Sequence, residues 1–313
     1  MSAVEVLGQG RALKILAGFL SADRVPQSLL FHGPLGVGKA LAAVNFAAAL
    51  LCEKKRGGQD ARACGECASC AAFLGGRHPD FIRVNAAYQA CLRQEDESKQ
   101  KSLRIGTIRA ARRAMETSPI LGGRKVAVIE DADSLEIEAA NALLKILEEP
   151  PAGAVWILTA ARRERLPKTV LSRCAAVRFA PLPEETVKEI LTCGGIDEPL
   201  AAAAARDADG SAGRALELTR YGYPGALFSG KAAPADAFES LGADLPSART
   251  KAELALFAVR QELWRSWKEG RTPFREAARG LGVVRELGDA LRANVDPKAV
   301  VLLACLQARQ AAS

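Results

Sequence analysis

At 313 residues, with 49% apolar and 25% charged side chains, the chain is a globular protein large enough for two or three domains, not a disordered or fibrous one. Its net charge of +7 permits a nucleic-acid partner and equally describes an ordinary solvated basic surface. No apolar run is long enough to span a bilayer and Met1 to Leu7 has no basic, apolar leader, so the expectation is a cytoplasmic protein without a membrane partner.

Ser28 to Phe31 is expected to form a buried strand, and Ala40 to Leu51 a helix. Between them runs Gly33-Pro34-Leu35-Gly36-Val37-Gly38-Lys39-Ala40. Strand, glycine-rich turn and helix are the setting of a phosphate-binding loop. The N–H groups around Gly33, Gly36 and Gly38 converge on phosphate oxygens, and Lys39 adds charge. The plainer alternative is a glycine-rich turn that happens to contain Gly-Lys. The loop pattern asks for Ser or Thr after the lysine, because that hydroxyl is a ligand of the nucleotide's Mg²⁺. Ala40 offers no oxygen, so hydrolysis is expected to be lost even if ATP or ADP still binds.

The spacing Cys64-x-x-Cys67-x-x-Cys70, with Cys52 upstream, is that of a metal-ligand array. In a reducing compartment it predicts a closed, structural four-sulfur zinc site, with an iron–sulfur cluster or free thiols as the alternatives. Cys91, Cys174, Cys193 and Cys305 are scattered and read as packing residues.

Phe81 to Val84 is expected as the second strand, and Ile105 to Thr117 as a basic helix. Its Arg109, Arg112 and Arg113 suit either nucleic-acid phosphates or solvent. Lys125 to Glu130 reads as a third strand and Leu135 to Leu147 as a helix stopped by Pro150-Pro151. At the third strand's end, Glu130 and Asp131 occupy the places where P-loop ATPases carry an aspartate for Mg²⁺ and a glutamate for the attacking water. Each is wrong by one methylene, and capping of the next helix is the alternative role. Val155 to Thr159 and Ala176 to Phe179 complete an α/β pattern with a parallel sheet. Beyond Pro181 and Pro183 the pattern turns helical: Glu184 to Arg220, a turn-rich linker from Tyr223 to about Pro234, then helix from Lys251 with an apolar stripe at Leu256, Val259, Leu263 and Trp267.

Several motifs together resemble the bacterial clamp-loader subunits of DNA polymerase III, of the AAA+ superfamily. They are Gly8-Gln9, the glycine-rich loop, the cysteine array, His78-Pro79-Asp80, Ala140-Asn141-Ala142-Leu143-Leu144-Lys145 with Leu147-Glu148-Glu149-Pro150-Pro151, Ser172-Arg173-Cys174, and Asn294-Val295-Asp296-Pro297-Lys298. The resemblance implies an AAA+ P-loop domain over residues 1–180 with an inserted zinc module at about 52–70, a helical lid over 181–222 and a helical collar over 235–313. It implies gamma/tau and delta subunits as partners, and the sliding clamp and primer-template DNA through the complex. Motor subunits of the gamma/tau type keep the loop hydroxyl and an Asp-Glu pair. The departures at Ala40, Glu130 and Asp131 look like the non-hydrolysing delta-prime type, a stator, with a gamma/tau-type ATPase motor as the alternative. In that family the arginine of Ser-Arg-Cys, here Arg173, reaches into a neighbour's ATP site. Its plainer role is an intramolecular salt bridge. Thr159 and Arg214 fall where the family has γ-phosphate sensors.

Overall fold

The computed structural model describes residues 5–54, 62–97, 100, 102–121, 123–221, 245–293 and 295–312. The expected linker from Tyr223 to about Pro234, part of the cysteine module and Asn294 lie outside the described residues. The chain divides into two compact units, residues 1–186 with 210–213, and 187–209 with 214–313.

The first unit is a five-stranded parallel sheet between two layers of helices. In chain order its elements are α1 (Gly10–Ser21), β1 (Ser28–His32), α2 (Lys39–Leu51), α3 (Ala68–Leu74), β2 (Phe81–Val84), α4 (Ala86–Arg93), α5 (Ile105–Met115), β3 (Lys125–Ile129), α6 (Ile137–Glu148), β4 (Ala154–Ala160), α7 (Lys168–Leu171) and β5 (Ala175–Arg178). The strand order is β2-β3-β4-β1-β5, so β1 lies between β4 and β5. β3 and β4 are buried along their whole length, which is why they read as unbroken apolar runs.

Alternation sends successive side chains to opposite faces. Leu29, Phe31, Val128, Ile157 and Val177 pack with Leu16 of α1 and Ala43, Phe46 and Ala47 of α2. Leu30, Ile129, Trp156 and Leu158 pack with Ile108 of α5, Leu143 and Ile146 of α6 and Val170 of α7. The parallel α/β sheet expected from the sequence is therefore what the chain forms. α1, α3, α4 and α7 have no counterpart among the sequence expectations.

α6 begins two residues later than expected. Ala132–Ser134 forms a 3-10 turn, and extended Leu135 then pairs as an isolated parallel bridge with Leu103. α5 stops at Met115, short of the expected Thr117.

The second unit is helical. It holds most of α8 (Glu184–Cys193), α9 (Glu198–Asp207), α10 (Ala212–Tyr221), α11 (Leu245–Lys268), α12 (Phe274–Arg292) and α13 (Pro297–Ala312). Leu256, Val259 and Leu263 of α11 enter a core with Val284, Leu287 and Leu291 of α12 and Val300, Val301 and Ala304 of α13. Trp267 leaves the expected stripe half-buried, its ring 4.9 Å from that of Trp264 and 5.8 Å from that of Phe274. Ser266 is buried in its stead, sharing a 2.6 Å hydrogen bond with Thr272. No helix among the described residues is long and apolar enough to cross a membrane.

Candidate functional site

The glycine-rich loop leaves the C-terminal end of β1, in the middle of the sheet, and runs straight into α2. Gly33 has φ +151°, and a Cβ there would lie 2.1 Å from the Phe179 carbonyl oxygen. Gly36 has φ +73°, and its Cβ would lie 2.3 Å from Ser211 Oγ. Segment 210–213 is hydrogen-bonded into this unit: Leu182 N–H donates to the Gly210 carbonyl at 2.8 Å, and Gly213 N–H to the Gly36 carbonyl at 2.9 Å. Only glycine lets the loop thread between these two backbones.

Lys39 is buried and its Nζ donates to the carbonyls of Gly33 at 2.9 Å and Pro34 at 2.6 Å. Burial pulls its pKa down, against the opposing pull of Asp131 and Asp133. The lysine is thus satisfied by the loop's own carbonyls. Gln9, quoted above only as part of a motif, proves to be a bridge. Its buried amide donates to the carbonyls of Val37 (3.2 Å) and Ala180 (2.7 Å), and its oxygen accepts Ala180 N–H at 3.1 Å.

Glu130 and Asp131 part company. The Glu130 carboxylate is held by Arg83 of β2, Nε to Oε1 at 2.6 Å, and accepts Asn85 Nδ2 at 3.4 Å. Asp131 sits in left-handed backbone, φ +49°, and its N–H donates to Thr159 Oγ1 at 3.1 Å. Desolvation first, then Asp133 and Glu130, raise the pKa of the Asp131 carboxyl, with Lys39 opposing. Neither side chain caps the following turn or α6. Asp133 instead accepts the N–H groups of Ala161 and Arg162, both at 3.1 Å, fastening this turn to the end of β4.

These residues fit phosphate better than they fit a hydrated Mg²⁺. Loop amides and Lys39 are present, but Ala40 supplies no oxygen and Glu130 is committed to Arg83.

Cys52, Cys64, Cys67 and Cys70 come together, with all four sulfurs within 4.8 Å of one another. Cys64 and Cys70 Sγ are 3.8 Å apart. A tetrahedron of thiolates about 2.3 Å from zinc has an edge of about 3.8 Å. Backbone N–H groups of Glu66 and Cys67 point at Cys64 Sγ, at 3.5 and 3.4 Å, and draw its pKa down to about 6. Burial pushes Cys70 up to about 12, so that in the absence of a cation this sulfur keeps its proton. The cluster can hold a metal ion, and its sulfur donors suit zinc. His78 is not a ligand. Its Nε2 shares a 2.9 Å hydrogen bond with Ser69 Oγ, whose own proton goes to the Leu51 carbonyl at 2.6 Å.

Arg173 lies just past α7. Its Nη2 is 2.8 Å from Glu148 Oε1 and its Nη1 donates to the Thr169 carbonyl at 3.0 Å. Arg214, in the other unit, stacks over the Phe257 ring at 3.7 Å from its centroid. Arg109 and Arg112 line a groove between α5 and α6 with Asn141 and Lys145; Arg112 is paired with Glu116 at 2.8 Å.

The family model described as "DNA polymerase III, delta subunit" matches residues 8–183. DNA polymerase III subunit delta' of Pseudomonas aeruginosa is 38% identical over 154 residues, covering 49% of this chain and 43% of that protein. The delta' subunit of Escherichia coli is 32% identical over 206 residues, 66% of this chain and 58% of the relative. Subunit tau/gamma of Haemophilus influenzae is 32% identical over 221 residues, 69% of this chain and 30% of the relative. The match spans less than two thirds of each relative's own length.

Proposed function

The chain belongs to the DNA polymerase III delta-subunit family, as a delta-prime subunit, and from that premise we propose that it is the non-hydrolysing stator of a bacterial clamp loader. In this reading it works in the cytoplasm with gamma/tau and delta subunits and helps to load the sliding clamp on primer-template DNA. Its first unit is an AAA+ domain, zinc holds the cysteine module together, and the helices beyond residue 181 form a lid and a collar for assembly.

The observation that carries the reading is Ala40 in the place of the loop hydroxyl, with Glu130 committed to Arg83. A motor's lysine must face the β- and γ-phosphates, and its neighbour must supply a hydroxyl to Mg²⁺. This loop keeps the turn and lacks the second part. The catalytic contribution moves to Arg173, delivered across the subunit interface. There a guanidinium stabilises charge on the transferring γ-phosphate, an effect worth about 10³–10⁵ in rate in GTPases.

The test is reconstitution with gamma/tau and delta subunits. The expected result is a defined complex containing one copy of this chain, no turnover of Mg-ATP by the chain alone, and a several-fold loss of DNA-stimulated ATPase on Arg173→Ala with assembly intact. Unchanged ATPase in that variant would remove the finger role. The tau/gamma likeness, which covers more of this chain than the Pseudomonas delta' match, favours a second reading as a motor. Turnover by the isolated chain would establish that one.

A further inference from the structure

We propose that Glu148 is the resting partner of Arg173 and competes with the γ-phosphate of the adjoining subunit's nucleotide for the guanidinium. The inference rests on the trans-finger reading above and adds to it a residue with a defined job.

Both terminal nitrogens of Arg173 are committed within the chain. Nη2 lies 2.8 Å from Glu148 Oε1, while Nη1 donates to the Thr169 carbonyl at 3.0 Å and reaches Ser172 Oγ at 3.5 Å. A phosphate that reaches the guanidinium meets the Glu148 carboxylate beside it, and the two negative groups compete for the one cation. The two side chains are 35% and 49% exposed, and an ion pair so open to water is weak. Such a pair holds the arginine at rest and releases it at small cost.

The position of Glu148 argues that the contact is not incidental to helix stability. It is the last residue of α6, where the helix dipole disfavours a negative charge. Pro150-Pro151 stops the helix directly beyond it. The backbones at both ends are fixed, since Ile146 and Leu147 on one side and Val170 on the other are buried in one cluster, and Arg173 N–H donates to the Val170 carbonyl at 3.2 Å. The carboxylate therefore stands at a set place beside the arginine, with side-chain torsions alone free to part them.

The experiment uses the reconstituted complex of this chain with gamma/tau and delta subunits. ATP titrations of DNA-stimulated hydrolysis are run for the unaltered chain, Glu148→Gln, Glu148→Asp, Arg173→Ala and the Glu148→Gln/Arg173→Ala double variant. Removing the competing charge is expected to lower KM for ATP at the adjoining site two- to five-fold, with kcat within two-fold. Glu148→Asp, which keeps the charge and withdraws it by one methylene, is expected to fall between. The Glu148→Gln effect should vanish in the Arg173→Ala background. If Arg173→Ala impairs hydrolysis while Glu148→Gln leaves KM unchanged, or raises it, competition is overturned and the finger role stands. If Arg173→Ala changes nothing, the finger role falls and this inference with it.

Discussion

The α-carbon of Gly33 faces the carbonyl oxygen of Phe179 so closely that an added Cβ would sit 2.1 Å from it. That oxygen belongs to backbone directly after β5, which the sheet holds in register with β1 through Leu29↔Ala175 to His32↔Arg178. Gly33→Ala therefore combines a clash that cannot be relieved by a rotamer with strain at φ +151°. It is expected to cost about 3 kcal/mol or more, read as a lowered urea midpoint. Gly106→Ala is the counter-case. It is an exposed position in the first turn of α5 with open space around it, and should stabilise by about 0.5 kcal/mol. Equal effects at the two positions would refute the assignment of the loop's geometry.

Asp80 anchors a distant loop. It is fully buried, and its carboxylate accepts Ile120 N–H at 2.8 and 3.0 Å and Leu121 N–H at 2.8 Å. Asp80→Ala removes the acceptor of both amides and should cost about 1–3 kcal/mol. Amide exchange at Ile120 and Leu121 should quicken well before global unfolding. Protected amides in the variant would show that the carboxylate is dispensable there.

The cysteine cluster should bind one zinc per chain, measured by elemental analysis of the purified protein. Because a sulfur site forms only in the folded chain, binding and folding free energies are linked. Chelator treatment or Cys70→Ser should lower the melting temperature, and added zinc should restore the chelated protein but not the variant. Cys91→Ser, at an exposed position on α4, is the control expected to melt unchanged. Full stability in the complete absence of metal would argue for free thiols.

Stability should fall on mild acidification. His78 Nδ1 accepts Asp80 N–H at 3.1 Å, which requires a neutral ring. Burial holds its pKa below the ordinary value, with Asp80 opposing. His32 is lowered too, by burial and then by Arg163, Arg178 and Lys39. Below about pH 6.5 the unfolded chain takes up protons that the folded chain declines, so stability is lost as pH falls through that value toward the folded pKa. The slope is at most about 1.4 kcal/mol per pH unit for each histidine. Urea midpoints at pH 7.5, 6.5 and 5.5 measure it, and His78→Gln should flatten the profile. A level profile in the unaltered chain would contradict the neutral-ring assignment.

The strands were readable because a parallel strand buried on both faces leaves a bare apolar run, as in Val126 to Ile129 and Val155 to Leu158. The loop and the cysteines were readable because their chemistry is local and fixes spacing. What escaped depends on partners far along the chain. Gln9 gains its meaning only when Ala180 is beside it, and Glu130 only when β2 brings Arg83 alongside. α1 lacked a starting signal, since Gln9 occupies the N-cap position without a capping bond. The salt-bridge alternative for Arg173 was foreseeable from its charge, but no spacing pointed to Glu148.

The place of β1 in the sheet has a consequence for synthesis. The partners on both edges of this strand, β4 and β5, are made more than 120 residues after it. At about 5–20 residues per second, Ser28 to His32 waits roughly 6–25 s after leaving the ribosome before either edge can be paired. For that interval Leu29-Leu30-Phe31 is an apolar ribbon with open hydrogen bonds. The nascent chain is a customer for chaperones until residue 160 emerges, and slow codons between β1 and β4 would lengthen that exposure.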